Sequence, residues 1–121
     1  MKYTHQYNPE NLKELFSSVG WESAKDPDLL YLAFLRASTV ISCWEGNKLV
    51  GIIRSMDDGC WSANIDCLVV HKDYQGQGIG STLLCKMLEA LKSVKYINVA
   101  PDSRKQIKFY KKIRSERGKE D

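Results

Sequence analysis

The sequence predicts an α+β fold: a mixed, mainly antiparallel sheet flanked by helices. Three observations predict it. Two apolar segments at helical spacing open the chain. Three strand-like runs joined by tight turns follow, which is the pattern of an antiparallel meander. A strand, a glycine-rich loop, an amphipathic helix and another strand come next. That order implies a parallel pair joined by a right-handed crossover.

Each element has a local reason. Asn8-Pro9-Glu10 starts the first helix, where the missing N–H of Pro9 costs nothing. Leu12, Leu15, Phe16 and Val19 follow at helical spacing, and Gly20 ends the run. Trp21 to Lys25 reads as a short loop. Asp26-Pro27-Asp28 starts a second helix through Leu29, Leu30, Leu32, Ala33 and Phe34, ending near Ser38. The period then changes. Val40–Trp44 and Leu49–Met56 read as strands around Gly46-Asn47, a weaker hairpin turn than Asn-Gly. Asp57-Asp58-Gly59 is a second turn, and Trp61–Val70 a third strand. His71 to Gly80 is a polar, glycine-rich loop. Ile79, Leu83, Leu84, Met87, Leu88 and Leu91 then mark one amphipathic helix. Val94–Val99 is a short strand. Pro101-Asp102-Ser103 starts a last helix with Ile107, Tyr110 and Ile113 on its inner face.

Composition bounds the function. The 121 residues are 43% hydrophobic and 27% charged, enough for one core and one domain over residues 1–121. No stretch approaches the roughly 20 apolar residues of a membrane helix. The polar Met1–Glu10 start is not a signal peptide. The four cysteines, Cys43, Cys60, Cys67 and Cys85, form no CxxC pair, and the two histidines, His5 and His71, lie far apart. A metal site is therefore not expected, and the cysteines read as reduced thiols in a cytoplasmic protein. The net charge of +3 is uneven: Arg104–Asp121 carries +5. Such a tail either attracts a polyanion or is a solvated helix end. It lacks the interleaved aromatic and basic residues of a nucleic-acid surface, so nucleic acid is disfavoured as a partner.

The informative stretch is Val69-Val70-His71-Lys72-Asp73-Tyr74-Gln75-Gly76-Gln77-Gly78-Ile79-Gly80. Glycines at alternating positions between a strand and a helix let several N–H groups converge beside a positive helix end, a geometry that holds phosphate oxygens. Gln75 and Ser81 are further donors, and Lys72 a further charge. Tight turns use the same residues, so the pattern alone leaves both readings open. It is not a Walker loop, because the terminal lysine and hydroxyl are missing. A dinucleotide fingerprint would follow the first strand of a parallel unit, whereas here a meander comes first. His71 either hydrogen-bonds within the loop or faces solvent, and a catalytic role is disfavoured.

Gln75-Gly76-Gln77-Gly78-Ile79-Gly80 resembles the acetyl-CoA pyrophosphate-binding motif of the GNAT family of N-acetyltransferases, (Gln/Arg)-x-x-Gly-x-(Gly/Ala). Leu12 to Trp21, Leu49-Val50-Gly51, Ile65 to Gly80 and Phe109-Tyr110-Lys111-Lys112 extend the resemblance over roughly residues 3 to 113. Asp66-Cys67-Leu68-Val69-Val70 and Val19-Gly20-Trp21 are similar to small bacterial members.

The resemblance implies a mechanism. Backbone groups of Leu68, Val69 and Val70 would pair with the pantetheine arm of acetyl-CoA. Amides of Gln77, Gly78, Ile79 and Gly80 would hold the pyrophosphate, with Gln75, Gly76 and Ser81 beside them. A backbone N–H near Leu68 would polarise the thioester carbonyl. The acceptor, a primary amine of a small molecule or peptide, would attack directly. Tyr110 is the implied acid for the leaving thiolate and also touches the cofactor, unless it only packs its ring. Asp66, a charge in an apolar strand end, is the candidate base, or binds the cationic substrate, or orients a loop. Trp21 would line the acceptor pocket or fill the core. Cys67 as an acylated nucleophile is disfavoured, since no histidine stands beside it in sequence.

The sequence departs from the family after Tyr110. Arg114 stands where glycine is expected, Ser103 where many members have asparagine, and the usual C-terminal hairpin is missing. The edge of Val94–Val99 would then invite pairing, which makes a homodimer the expected assembly. The rival to an enzyme is a non-catalytic acetyl-CoA-binding or regulatory module.

Overall fold

In the computed structural model, residues 1–99 are described. The expected last helix, with Ile107, Tyr110 and Ile113, and the expected absence of a C-terminal hairpin fall outside them.

The chain runs β1 (Lys2–Thr4), α1 (Pro9–Ser18), a 3₁₀ turn (Glu22–Lys25), α2 (Pro27–Leu35), β2 (Thr39–Glu45), β3 (Lys48–Asp57), β4 (Ser62–Val70), a second 3₁₀ turn (Lys72–Tyr74), α3 (Ile79–Ala90) and β5 (Tyr96–Val99). The sheet order is β1-β2-β3-β4-β5. The first four strands pair antiparallel, and β4 pairs with β5 in parallel. The α+β architecture read from the sequence is the one observed.

Side-chain chemistry sets the helix starts. The Asn8 side chain accepts from the Asn11 N–H at 2.9 Å, and Asp26 accepts from the Leu29 N–H at 3.3 Å, with a proline at the first turn of each helix. The end of α2 differs from the expectation. It stops at Leu35 rather than near Ser38, because the Ser38 N–H already donates to the Ser55 carbonyl of β3. Glu22–Lys25 is a 3₁₀ turn, not a loop, and it buries Ala24. β5 begins at Tyr96, not Val94. The Val94 N–H closes the turn after α3 by donating to the Leu91 carbonyl. β1 was not expected at all. It is three residues long, and the Thr4 and Ser42 hydroxyls, 2.8 Å apart, hold it to β2.

The sheet separates two apolar clusters. α3 covers one face, where Leu83, Leu84 and Met87 meet Ile41, Val50, Ile53 and Ile65. α1 and α2 cover the other, where Leu12, Leu15, Phe16 and Phe34 meet Val40, Ile52 and Val69. Burial of such side chains supplies roughly 1.5–3 kcal/mol apiece, so both faces are firmly specified. α3 lies close to β3 because Gly51 has no side chain. A Cβ there would sit 2.9 Å from Ile79 Cγ2 and 3.0 Å from Leu83 Cδ1. Gly51→Val therefore overpacks this contact. It should destabilise the protein by about 1–3 kcal/mol, read as a lower urea midpoint with an unchanged slope.

Candidate functional site

The site is built where β4 ends and α3 begins. The first determinant is a β-bulge. Arg54 of β3 registers with Cys67 of β4, but the next residue, Ser55, registers with Ile65. Asp66 is the extra residue. Its effect is visible in the side-chain faces: Ala63 and Ile65 face α3, Cys67 packs on the α1–α2 side, and Leu68 returns to the α3 side. Ile65 and Leu68 share a face although an odd number of positions separates them. A bulge bends the strand and raises its twist. The β4–β5 register covers Ser62–Ile65 and reaches Val99, the last described residue, so β5 is paired with β4 on the N-terminal side of the bulge.

The second determinant is an ion pair at that bulge. Arg54 Nε donates to Asp66 Oδ1 at 2.7 Å, and Nη2 donates to Oδ2 at 2.8 Å. Arg54 Nη1 donates to the Ala33 carbonyl at 2.8 Å, in the last turn of α2, where a cation also complements the helix dipole. The Phe34 ring lies under the guanidinium, 5.7 Å away. The hydrogen bonds from Arg54 hold the Asp66 carboxyl below its ordinary range, although partial burial opposes the shift.

The third determinant is the loop. The His71 N–H donates to the Val50 carbonyl at 2.8 Å, and the Tyr74 N–H to the His71 carbonyl at 2.9 Å. Of the two readings of His71, the structure shows the hydrogen-bonded one: the residue is buried, its Nδ1 accepts from the Asp73 N–H at 3.2 Å, and its ring meets Tyr74 edge-on. The Lys72 N–H donates to Ser18 Oγ, which ties the loop to α1. Gln75 Nε2 donates to the Val70 carbonyl at 3.1 Å. That bond clasps the loop to the strand end, and it occupies an oxygen expected to serve a ligand.

Gly76 and Gly78 have φ of 82° and 84°, the left-handed region where glycine carries no Cβ penalty. Gly78 caps α3 without a side-chain hydrogen bond, and the Thr82 N–H and Oγ1 both donate to its carbonyl at 3.0 Å. The first-turn amides of Ile79, Gly80 and Ser81 precede the first intrahelical bond, and no acidic side chain stands in that turn. Gln75, Gly76, Gln77 and Gly78 are exposed, whereas Ile79 is buried as the helix anchor. The result is a positive, open helix end beside β4, which suits an anionic oxygen.

The chain carries the signature of a known family over most of its length: the acetyltransferase (GNAT) family profile matches residues 5–114. The chain belongs to the GNAT family. That family uses acetyl-CoA as its acyl donor. The chain is 30% identical over 119 residues to a Porphyra purpurea protein named uncharacterized N-acetyltransferase ycf52, covering 91% of this chain and 66% of that protein. It thus spans slightly under two thirds of that relative's length. The fold is similar to a GNAT-family acetyltransferase from Streptococcus pneumoniae, with a TM-score of 0.77, 28% identity and coverage of 93% of this chain and 83% of that one. It also matches the PaiA N-acetyltransferase of Thermoplasma acidophilum, solved in complex with coenzyme A, at TM-score 0.70, 16% identity and coverage of 92% and 86%.

The structure brings Val70 next to Gln75 and Gly80, with Val69 and Leu68 before it on the same strand and Asp66 at the bulge in mid-strand. Trp21 lies elsewhere, packed edge-on against Phe16 at 5.2 Å on the α1–α2 face. Tyr110 falls outside the described residues. Sequence reasoning missed Arg54. The available signal was charge balance: Arg54 and Asp66 are charges inside two consecutive apolar strands, and buried charges are paired. The pair fixes an acid response. Because the folded-state pKa of Asp66 is depressed, its contribution is present above the unfolded value near 3.8 and is lost as pH falls below it. Asp66→Asn should lower stability at neutral pH by roughly 1–3 kcal/mol and flatten the loss of stability below pH 3.8, measured by urea unfolding at stepped pH.

Proposed function

We propose that this GNAT protein transfers the acetyl group of acetyl-CoA directly to a primary amine of a small molecule or peptide. The observation that carries the reading is the open N-terminus of α3, capped by a left-handed glycine and set against the end of β4. The first-turn amides would take the pyrophosphate oxygens, with Gln77, Gly76 and Ser81 around them. The stretch Leu68–Val70 would run beside the pantetheine arm. A backbone amide beyond the bulge would polarise the thioester carbonyl as negative charge builds on its oxygen. The amine nitrogen attacks the carbonyl carbon, the carbon–sulfur bond breaks, and the thiolate leaves.

Two protons have to move. Asp66 is held by both oxygens in the Arg54 fork and has a depressed pKa, so it is a poor acceptor for the ammonium proton. We assign that proton to solvent water and give Asp66 the task of shaping β4. Tyr110 is the proposed acid for the thiolate, in line with its place in the Phe109-Tyr110 pair. Tyr110→Phe should lower turnover at least about tenfold while leaving acetyl-CoA affinity within about threefold. Equal losses in both would mean that the ring only packs.

The binding half of the proposal has its own test. Aspartate tolerates left-handed backbone better than most residues, so Gly78→Asp should fold while placing a negative charge in the phosphate cradle. It should weaken acetyl-CoA binding in calorimetry by more than about tenfold, or ~1.4 kcal/mol. An unchanged affinity would remove the cradle assignment. Acetyl-CoA binding without thiol release across a panel of amines would instead favour a non-catalytic binding or regulatory module.

A further inference from the structure

Packing of Leu68 and Val69 on opposite faces of the sheet requires one extra residue between Ile65 and Leu68, and side-chain chemistry selects which residue it is. In β4 the extra residue is Asp66, and it is pinned by side-chain chemistry. The fork from Arg54 engages both carboxylate oxygens at 2.7 and 2.8 Å, a planar two-point match that fixes direction as well as distance. Arg54 itself cannot turn. Its third nitrogen donates to the Ala33 carbonyl at 2.8 Å, and its Cζ sits over the Phe34 ring, 5.7 Å from the ring centre. The side chain is 16% exposed, so water competes little for these donors. Arg54 therefore links three elements at one point: β3, which carries it; β4, at its bulge; and the last turn of α2.

The bulge decides how the next residues present themselves. With one extra residue at position 66, Leu68 faces α3 and Val69 faces α1 and α2. Without it, both would exchange faces, and the amides beyond would rotate with them. The amide proposed to polarise the thioester lies in this stretch. Its direction thus depends on where the bulge sits.

We propose that Arg54 is a positioning residue for acetyl transfer: by fixing Asp66 in the bulge, it aims the backbone amides of the following β4 stretch at the thioester carbonyl. The inference rests on the acetyl-CoA reading above. Arg54 acts through Asp66 and the β4 backbone and touches no reacting atom. Its loss should therefore change how the carbonyl is polarised more than how tightly coenzyme A is held, because the pyrophosphate cradle lies past the loop, on α3.

The test reads the carbonyl itself. Isotope-edited infrared difference spectra of carbonyl-labelled acetyl-CoA, bound to the full chain, report the hydrogen bonding of the thioester oxygen as a shift to lower frequency. Calorimetry with coenzyme A lacking the acetyl group reports the cradle. Two variants are compared with wild type. Arg54→Lys keeps the charge but not the fork. Arg54→Met with Asp66→Leu replaces the pair by apolar side chains of similar size, a change that commonly preserves folding. In both, the carbonyl shift should fall by more than half while coenzyme A affinity stays within about threefold. Variants that bind coenzyme A and keep the full shift would overturn the inference. So would a parallel loss of affinity and shift in both variants, which would make Arg54 a support of the fold alone. A wild-type protein that binds acetyl-CoA without a carbonyl shift would also overturn it, leaving the binding assignment intact. A wild-type protein that binds neither form would remove the acetyl-CoA reading first, and this inference with it.

Discussion

One extra residue in β4 governs the rest of the site. If Asp66 were simply part of the ladder, the alternation begun by Ala63 and Ile65 would turn Leu68 toward α1 and α2, and Val69 toward α3. Both are more than nine-tenths buried. Each contributes roughly 1.5–3 kcal/mol when its face is correct, so the wrong phase would forfeit a large part of a typical stability of about 5–15 kcal/mol. Packing on both faces therefore requires the bulge, and the Arg54 fork fixes where it falls. A second bulge sits upstream at Val50, where Cys43 registers with Gly51 but Trp44 with Leu49. Val50 consequently faces the α3 cluster, and Gly51 also lies beneath α3. The two irregularities bracket the stretch of β3 from Gly51 to Arg54 that pairs with Cys67–Val70.

The three helices start differently, and the difference is chemical. α1 and α2 satisfy a first-turn amide with Asn8 and Asp26. α3 starts on Gly78, which offers no side chain. As an N-cap, glycine costs only a few tenths of a kcal/mol relative to asparagine or aspartate, so stability is scarcely affected. What changes is access: the amides at that end remain available to an outside acceptor, and the left-handed φ at Gly76 and Gly78 turns the loop without a bulky side chain over them. Thr82 reinforces the first turn from inside, through its bonds to the Gly78 carbonyl.

Much of this architecture is legible in the sequence because it is written in short-range patterns. The caps at Asn8 and Asp26, the turn glycines, and the 3.6-residue period from Ile79 to Leu91 each act within a few residues. The bulge is not legible in the same way. Cys67, Leu68, Val69 and Val70 are all apolar, so either phase of the strand looks equally good until both faces of the sheet are known. β1 escapes notice because three residues without alternation form a strand only when β2 is beside them. His71 reads as a polar loop residue, yet folding encloses it between Tyr74 and the end of β4. Asp66 shows the limit most clearly. Its charge demands a partner, but the partner lies twelve residues away across a hairpin whose register the sequence leaves open. The expected acid, Tyr110, and the expected last helix lie in residues 100–121, outside the described region.

The links around β4 show how the strand is held. Its bulge is tied to β3 and α2 through Arg54. Its C-terminal end is tied to the loop by Gln75 and, one residue on, to β3 through the His71 amide. The loop is tied to α1 through Lys72 and Ser18, with the His71 ring 3.9 Å from Glu14 of the same helix. Every one of these bonds approaches from β3, from the loop or from the α1–α2 face, and α3 closes the opposite face by pressing on Gly51. Among the described residues, the β4–β5 register covers Ser62–Ile65, on the N-terminal side of the bulge. A strand braced from those directions keeps its backbone direction fixed, which a polarising amide needs if it is to stabilise developing charge without first reorganising. The rigidity of β4 past its bulge is thus a consequence of the placement of Asp66.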